Sequence, residues 1–150
     1  MAKTILVPFD GSSNAAKALD WAISLAKVSG FKILLLNVQP SFRTVHAKTF
    51  FNKSDLEEYQ QQLFKEATEG VEDKLKAAGI AYNLKLDIGD PKERIVEEVR
   101  NSANGEDRIE LIVMGSRGTN PVFSGVLGSV SYAIINAGVC PVTIIPQEKK

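Results

Sequence analysis

Residues 111–130 read LIVMGSRGTNPVFSGVLGSV, and this stretch decides the fold. Leu111-Ile112-Val113-Met114 is an unbroken apolar run with β-branching, the pattern of a strand buried on both faces. It stops at Gly115-Ser116-Arg117-Gly118, and from Ser129, just after Gly128, the pattern becomes helical. A strand, a glycine-punctuated loop and a helix start make an anion site. The first turn of a helix has unbonded N–H groups and the positive end of the dipole. Glycines tolerate positive φ and let a backbone approach a ligand closely. Ser129 adds a hydroxyl, and Arg117 a guanidinium suited to phosphate oxygens. The stretch reads as a phosphate cradle for a nucleotide.

Working outward, the chain repeats the same alternation. Lys3 to Phe9 is a buried strand running into Asp10-Gly11-Ser12-Ser13, where either serine can cap a helix. Ala15, Ala18, Leu19, Ala22, Ile23, Leu25 and Ala26 share one face of that helix, with Trp21 at its margin and Gly30 at its end. Phe31 to Val38 is a second apolar strand. Gln39 to Lys53 is an irregular excursion containing His46, a lone histidine that reads as solvated. Ser54-Asp55-Leu56-Glu57 resembles a capping box and predicts one long helix to about Ala78, stopped by Gly79.

Ile80 to Ile88 alternates as a strand at or near a sheet edge should. Gly89-Asp90-Pro91 opens a further helix, with Ile95, Val96 and Val99 on its buried side. A strand at Ile109 to Met114, a helix from Ser129 to about Ala137 and a strand at Val139 to Ile145 follow. The prediction is five strands and four helices in strict alternation: a single-domain α/β protein with a doubly wound parallel sheet. Ligands of such sheets bind beyond the carboxyl ends of the strands, where the winding reverses. If the first and fourth strands are neighbours, Asp10 and the glycine loop face one crevice.

Bulk properties narrow the function. The 150 residues suffice for one well-buried domain, and 44% hydrophobic with 24% charged residues argues against disorder. Eighteen basic residues balance eighteen acidic ones, which lowers the prior for nucleic acid or anionic membrane as partner. One cysteine, Cys140, excludes an intrachain disulfide and a cysteine-rich metal site, and it reads as a small buried hydrophobe. The apolar run at the N-terminus is too short for a signal-peptide core, and no stretch approaches a membrane span. A soluble, cytoplasmic protein is expected.

No Gly-Lys-Ser/Thr occurs, so the motif is not a P-loop. The spacing Gly115-x-x-Gly118, nine residues, Gly128-Ser129 closely resembles the nucleotide-binding signature of the universal stress protein (UspA-like) family. The resemblance covers 1–150: KTILVPFDGS, GDPKERIVEE, LIVMGSRG and GSVSYAIINAGVCPVTII match its blocks in order. It implies a Rossmann-like, five-stranded fold of the adenine nucleotide alpha hydrolase-like type, a homodimer, and membership of the ATP-binding subclass with Mg²⁺ on the phosphates.

Carried over by position, Pro8 and Asp10 would line the adenosine end and Val38 would meet adenine through its backbone. Met114, Gly115 and Gly118 would pass along ribose and phosphates. Gly128, Ser129 and Val130 would hold the phosphates, with Arg117 at a position the family varies. Thr119 to Leu127 departs from the family by lacking basic residues and by holding Pro121 and Gly125.

Each residue also has a plainer reading: Gly115 and Gly118 as a tight turn, Gly128 as close helix packing, Asp10 as a helix cap. No lysine or placed base supports efficient phosphoryl transfer, so the expectation is binding with at most weak hydrolysis. The competing classes are a nucleotide-independent interaction protein acting through its dimer surface, and a transferase on the same fold. The apolar last strand, Val142 to Ile145, is the expected dimer edge.

Overall fold

In the computed structural model, residues 3–41, 53–116 and 127–147 are described. Arg117, Gly118, His46 and positions 119–126 of the departing loop lie outside them. The strands are β1 (Thr4–Pro8), β2 (Lys32–Gln39), β3 (Tyr82–Ile88), β4 (Ile109–Gly115) and β5 (Val142–Ile145). The helices are α1 (Ser13–Ser29), α2 (Lys53–Ala67), α3 (Val71–Ala78), α4 (Pro91–Ser102) and α5 (Ser129–Ala137).

All pairings in the sheet are parallel and the order is β3-β2-β1-β4-β5, so β1 and β4 are neighbours at the reversal of winding. The doubly wound α/β architecture expected from the alternating apolar runs is the one observed. Helices cover both faces. Ile5, Val7, Ile33, Leu35 and Val113 pack with the buried residues of α1 and α3. Leu6, Leu36, Ile112 and Met114 pack on the other face with Ile95 and Val99 of α4 and Ile134 of α5. Successive strand residues thus serve opposite cores, which is why the strands read as unbroken apolar runs.

Local chemistry sets the helix ends. Ser12, not Ser13, caps α1: its Oγ accepts from Ala15 N–H at 3.2 Å. Asp90 caps α4, with Pro91 in its first turn. Gly30, Gly79 and Gly138 end their helices in the left-handed conformation.

Four expectations need correction. The single helix from Ser54 to Ala78 is two, broken at Gly70, whose φ of +77° re-aims the chain so that Val71 and Leu75 reach the core. The preceding α2 buries none of its residues. Gln39 is not the start of an irregular excursion. It is the last residue of β2 and is 6% exposed. The final strand begins at Val142, because Gly138 turns the chain and Val139-Cys140 bends before Pro141 joins the sheet. Cys140 is half-buried rather than buried.

Candidate nucleotide site

The carboxyl ends of β2, β1 and β4 lie side by side, bringing Val38, Pro8, Asp10, Met114 and Gly115 to one edge of the sheet. Ser116 leaves β4, and its C=O accepts from Gly128 N–H at 2.7 Å. That bond closes the neck of the loop and sets Gly128 as the cap of α5, followed by Ser129 and Val130 in its first turn. The gathered set is therefore Pro8, Asp10, Val38, Met114, Gly115, Gly128, Ser129 and Val130.

Two helices, α1 and α5, start at this edge, after β1 and β4. Neither has an acidic residue in its first turn, whereas α2, α3 and α4 have Asp55, Glu72 with Asp73, and Glu93. Gly128 offers no capping side chain, so the leading N–H groups of α5 lack an intrahelical acceptor and a side-chain cap. An uncompensated helix start beside an exposed Ser129 is suited to an anion.

At β2 the free groups are in the backbone. Gln39 C=O accepts from Gly89 N–H on the β3 side at 2.9 Å. Peptide groups alternate along a strand, so Val38 turns its N–H and C=O the other way, toward β1. There Leu36 C=O accepts from Phe9 N–H at 2.8 Å, the last backbone bond before β1 leaves the sheet. Val38 therefore presents one donor and one acceptor to the gap, in the pattern that suits the edge of a base.

Asp10 is exposed, and its Oδ1 accepts from Ser12 N–H at 2.9 Å, so part of its carboxylate shapes the turn into α1. Gly115 needs no positive φ, and neither does Gly128, whose φ is −66°. The glycine requirement at 115 is steric: a Cβ there would lie 2.7 Å from the Asn14 side chain.

Sequence reasoning missed four buried polar residues around these groups. Asn14, 2% exposed, donates from Nδ2 to Ile145 C=O at 3.1 Å and accepts from Ser116 Oγ at 3.4 Å. Ser131, also 2% exposed, donates from Oγ toward Gly115 C=O at 3.0 Å and Ser116 C=O at 3.2 Å. Asn37 donates to Phe9 C=O at 2.8 Å, and Gln39 Nε2 donates to Asn37 Oδ1 and to Gln60 C=O, both at 3.0 Å. A signal was present: Asn14 falls four residues before Ala18 on the apolar stripe of α1, and Asn37 falls two after Leu35. A polar residue in a buried register marks a specific hydrogen-bonding task.

Among the described residues no group of three or more His, Cys, Asp or Glu side chains could hold a metal ion. No helix among them is long and apolar enough to cross a membrane.

Comparisons with known proteins identify the family and the fold. The chain is 30% identical over 152 residues to universal stress protein YxiE of Bacillus subtilis, covering 97% of this chain and 99% of that one. Among solved structures, it is similar to a universal stress protein family protein of Arabidopsis thaliana with AMP bound. That likeness has a TM-score of 0.67 and 23% identity, and covers 97% of this chain and 92% of the other. It is also similar to a universal stress protein in complex with cAMP, with a TM-score of 0.64, 23% identity and 97% of each chain covered. The model of the universal stress protein family matches residues 1–146, from β1 through the glycine loop to the end of β5, and the chain belongs to that family.

Proposed function

We propose that this protein binds ATP at the carboxyl edge of its sheet and serves as a cytoplasmic, homodimeric regulatory switch in a stress response. One observation carries the reading. The closed loop neck at Ser116 and Gly128 brings the uncapped start of α5 to the same edge as the open peptide groups of Val38. The solved family members with AMP and cAMP support an adenine nucleotide as ligand.

In this reading Val38 meets the adenine edge, Pro8 and Asp10 border the adenosine, and Met114 and Gly115 line its path. Gly128, Ser129 and Val130 hold the phosphates with N–H groups and a hydroxyl, joined by Gly118 and Arg117 of the loop. Asp10 is the one acid of the set and already has an oxygen engaged, so Mg²⁺ would ride on the phosphates with water completing its shell. The set holds no lysine, and its one carboxylate, Asp10, borders the adenosine rather than the phosphates, so the proposed activity is binding. The edge strand β5 is the proposed dimer contact.

The test is the nucleotide content of purified protein after denaturation, followed by calorimetric titration with ATP and Mg²⁺. Stoichiometric adenylate, or micromolar binding abolished in a Gly128→Val, Ser129→Val double variant, is the expected result. An empty protein that ignores ATP would overturn the reading and leave a nucleotide-independent role at the dimer surface.

A further inference from the structure

The glycine loop departs from β4 at a junction that three other elements share. Ile145 C=O, at the end of β5, accepts from both Ser116 N–H at 3.0 Å and Asn14 Nδ2 at 3.1 Å. Asn14 in turn accepts from Ser116 Oγ. On the far side, Ser116 C=O accepts from Gly128 N–H, the cap of α5. Asn14 also fills the volume that a side chain at 115 would need. One buried carboxamide from α1 therefore packs against Gly115, shares the Ile145 carbonyl with Ser116 N–H and meets the Ser116 hydroxyl at 3.4 Å, at the point from which Gly128 and α5 are hung.

A carboxamide suits this task because it donates and accepts at once. Ile145 C=O, which already accepts from Ser116 N–H, takes a second donor and Ser116 Oγ an acceptor, and Asn14 supplies both from a position 2% exposed. Alanine would supply neither.

We propose that Asn14 is the positioning residue of the phosphate side of the nucleotide site, acting through Ser116 on the loop neck and the first turn of α5. This rests on the ATP-binding reading and deepens it. Asn14 acts on the phosphate cradle, because the contacts described above run to β4, β5 and the loop neck and none of them to Val38. Its removal therefore degrades recognition of phosphates and leaves recognition of the nucleoside. A purely structural role would weaken both alike.

The experiment titrates full-length wild type, Asn14→Ala and Ser116→Ala with adenosine and with ATP and Mg²⁺, and reads the ratio of the two affinities. Asn14→Ala is expected to lower the ATP-to-adenosine ratio about tenfold, the scale of one lost buried hydrogen bond, with adenosine affinity held within about twofold. Ser116→Ala removes a half-buried hydroxyl without opening the core. It is expected to lower the ratio about threefold, and it decides the matter should Asn14→Ala not fold. Equal losses for both ligands, or an unchanged ratio, overturn the assignment. A wild type that binds adenosine with no gain from phosphates overturns it while leaving a nucleoside site. A wild type that binds neither overturns the functional reading and the assignment together.

Discussion

Two parts of the same sheet edge are held in opposite ways. Where β4 gives way to the glycine loop, Asn14, Ser131, Gly128 and Ile145 all bond to Gly115 or Ser116, and two of these are side chains 2% exposed. Where β2 ends, α2 lies over the strand with no buried residue of its own. Its described ties to the strand ends are Gln39 Nε2 to Gln60 C=O and the close approach of Ala67 to Gly11. The difference teaches where the edge is preorganised. The loop neck, the proposed phosphate side, is held by several buried hydrogen bonds, whereas the end of β2 has few described contacts with α2. A charged group gains most from donors already in place, while a flat base needs only two peptide groups and a surface.

The strongest challenge to this contrast is Gly115→Ala, which puts a methyl group 2.7 Å from Asn14 in a buried site. A loss of about 2–3 kcal/mol is expected, lowering the melting temperature by about 6 °C. A variant as stable as wild type would mean that the loop neck is not tightly packed. Next comes Ser131→Ala, which strips a buried donor from two carbonyls and should cost about 1–2 kcal/mol in chemical denaturation.

On the looser side, Gln39→Ala should cost about 1 kcal/mol. Its more telling effect is faster amide exchange across residues 53–67 with α1 and β4 unchanged. Equal acceleration throughout would show that α2 is as integral as α1.

The smallest effect lies at the other end of the sheet. Burial, with Glu110 adding to it and a hydrogen bond from Ile112 opposing it, raises the Cys140 thiol above its ordinary 9.0. The native state then holds its proton more tightly than the unfolded chain. The resulting stability is complete below pH 9.0 and is lost as pH rises through the raised value. Denaturation of wild type and Cys140→Ala across alkaline pH should show a decline that the variant lacks. Alkylation of native Cys140 should be slower than that of a free thiol.

Much of this was legible in the chain. The order of strands and helices followed from apolar runs punctuated by glycine and proline, since a strand buried on both faces has no polar alternation to blur it. That Asp10 and Gly115 stand at one edge was legible only as a conditional, and the pairing of β1 with β4 met the condition. The break at Gly70 did not, because glycine costs a helix interior only about 1 kcal/mol and Glu/Lys patterning continues on both sides of it. Nor did Asn14 or Ser131: each is one polar residue on an apolar stripe, and only the packed structure says which carbonyl it serves. The role of Gly115 was half legible, since the need for glycine was clear but its cause was a neighbouring side chain.

The sheet's two outer strands differ in a way that governs growth. β3 carries exposed Asn83 and Lys85, the latter paired with Glu98, while Val142-Thr143-Ile144-Ile145 of β5 carries no charge. Charge on an edge discourages strand addition, and its absence permits it. A chain that can add at one edge only has a single valence. Were two chains to pair through β5, as proposed above, each would satisfy the other, and the assembly would close as a pair rather than extend into a fibre.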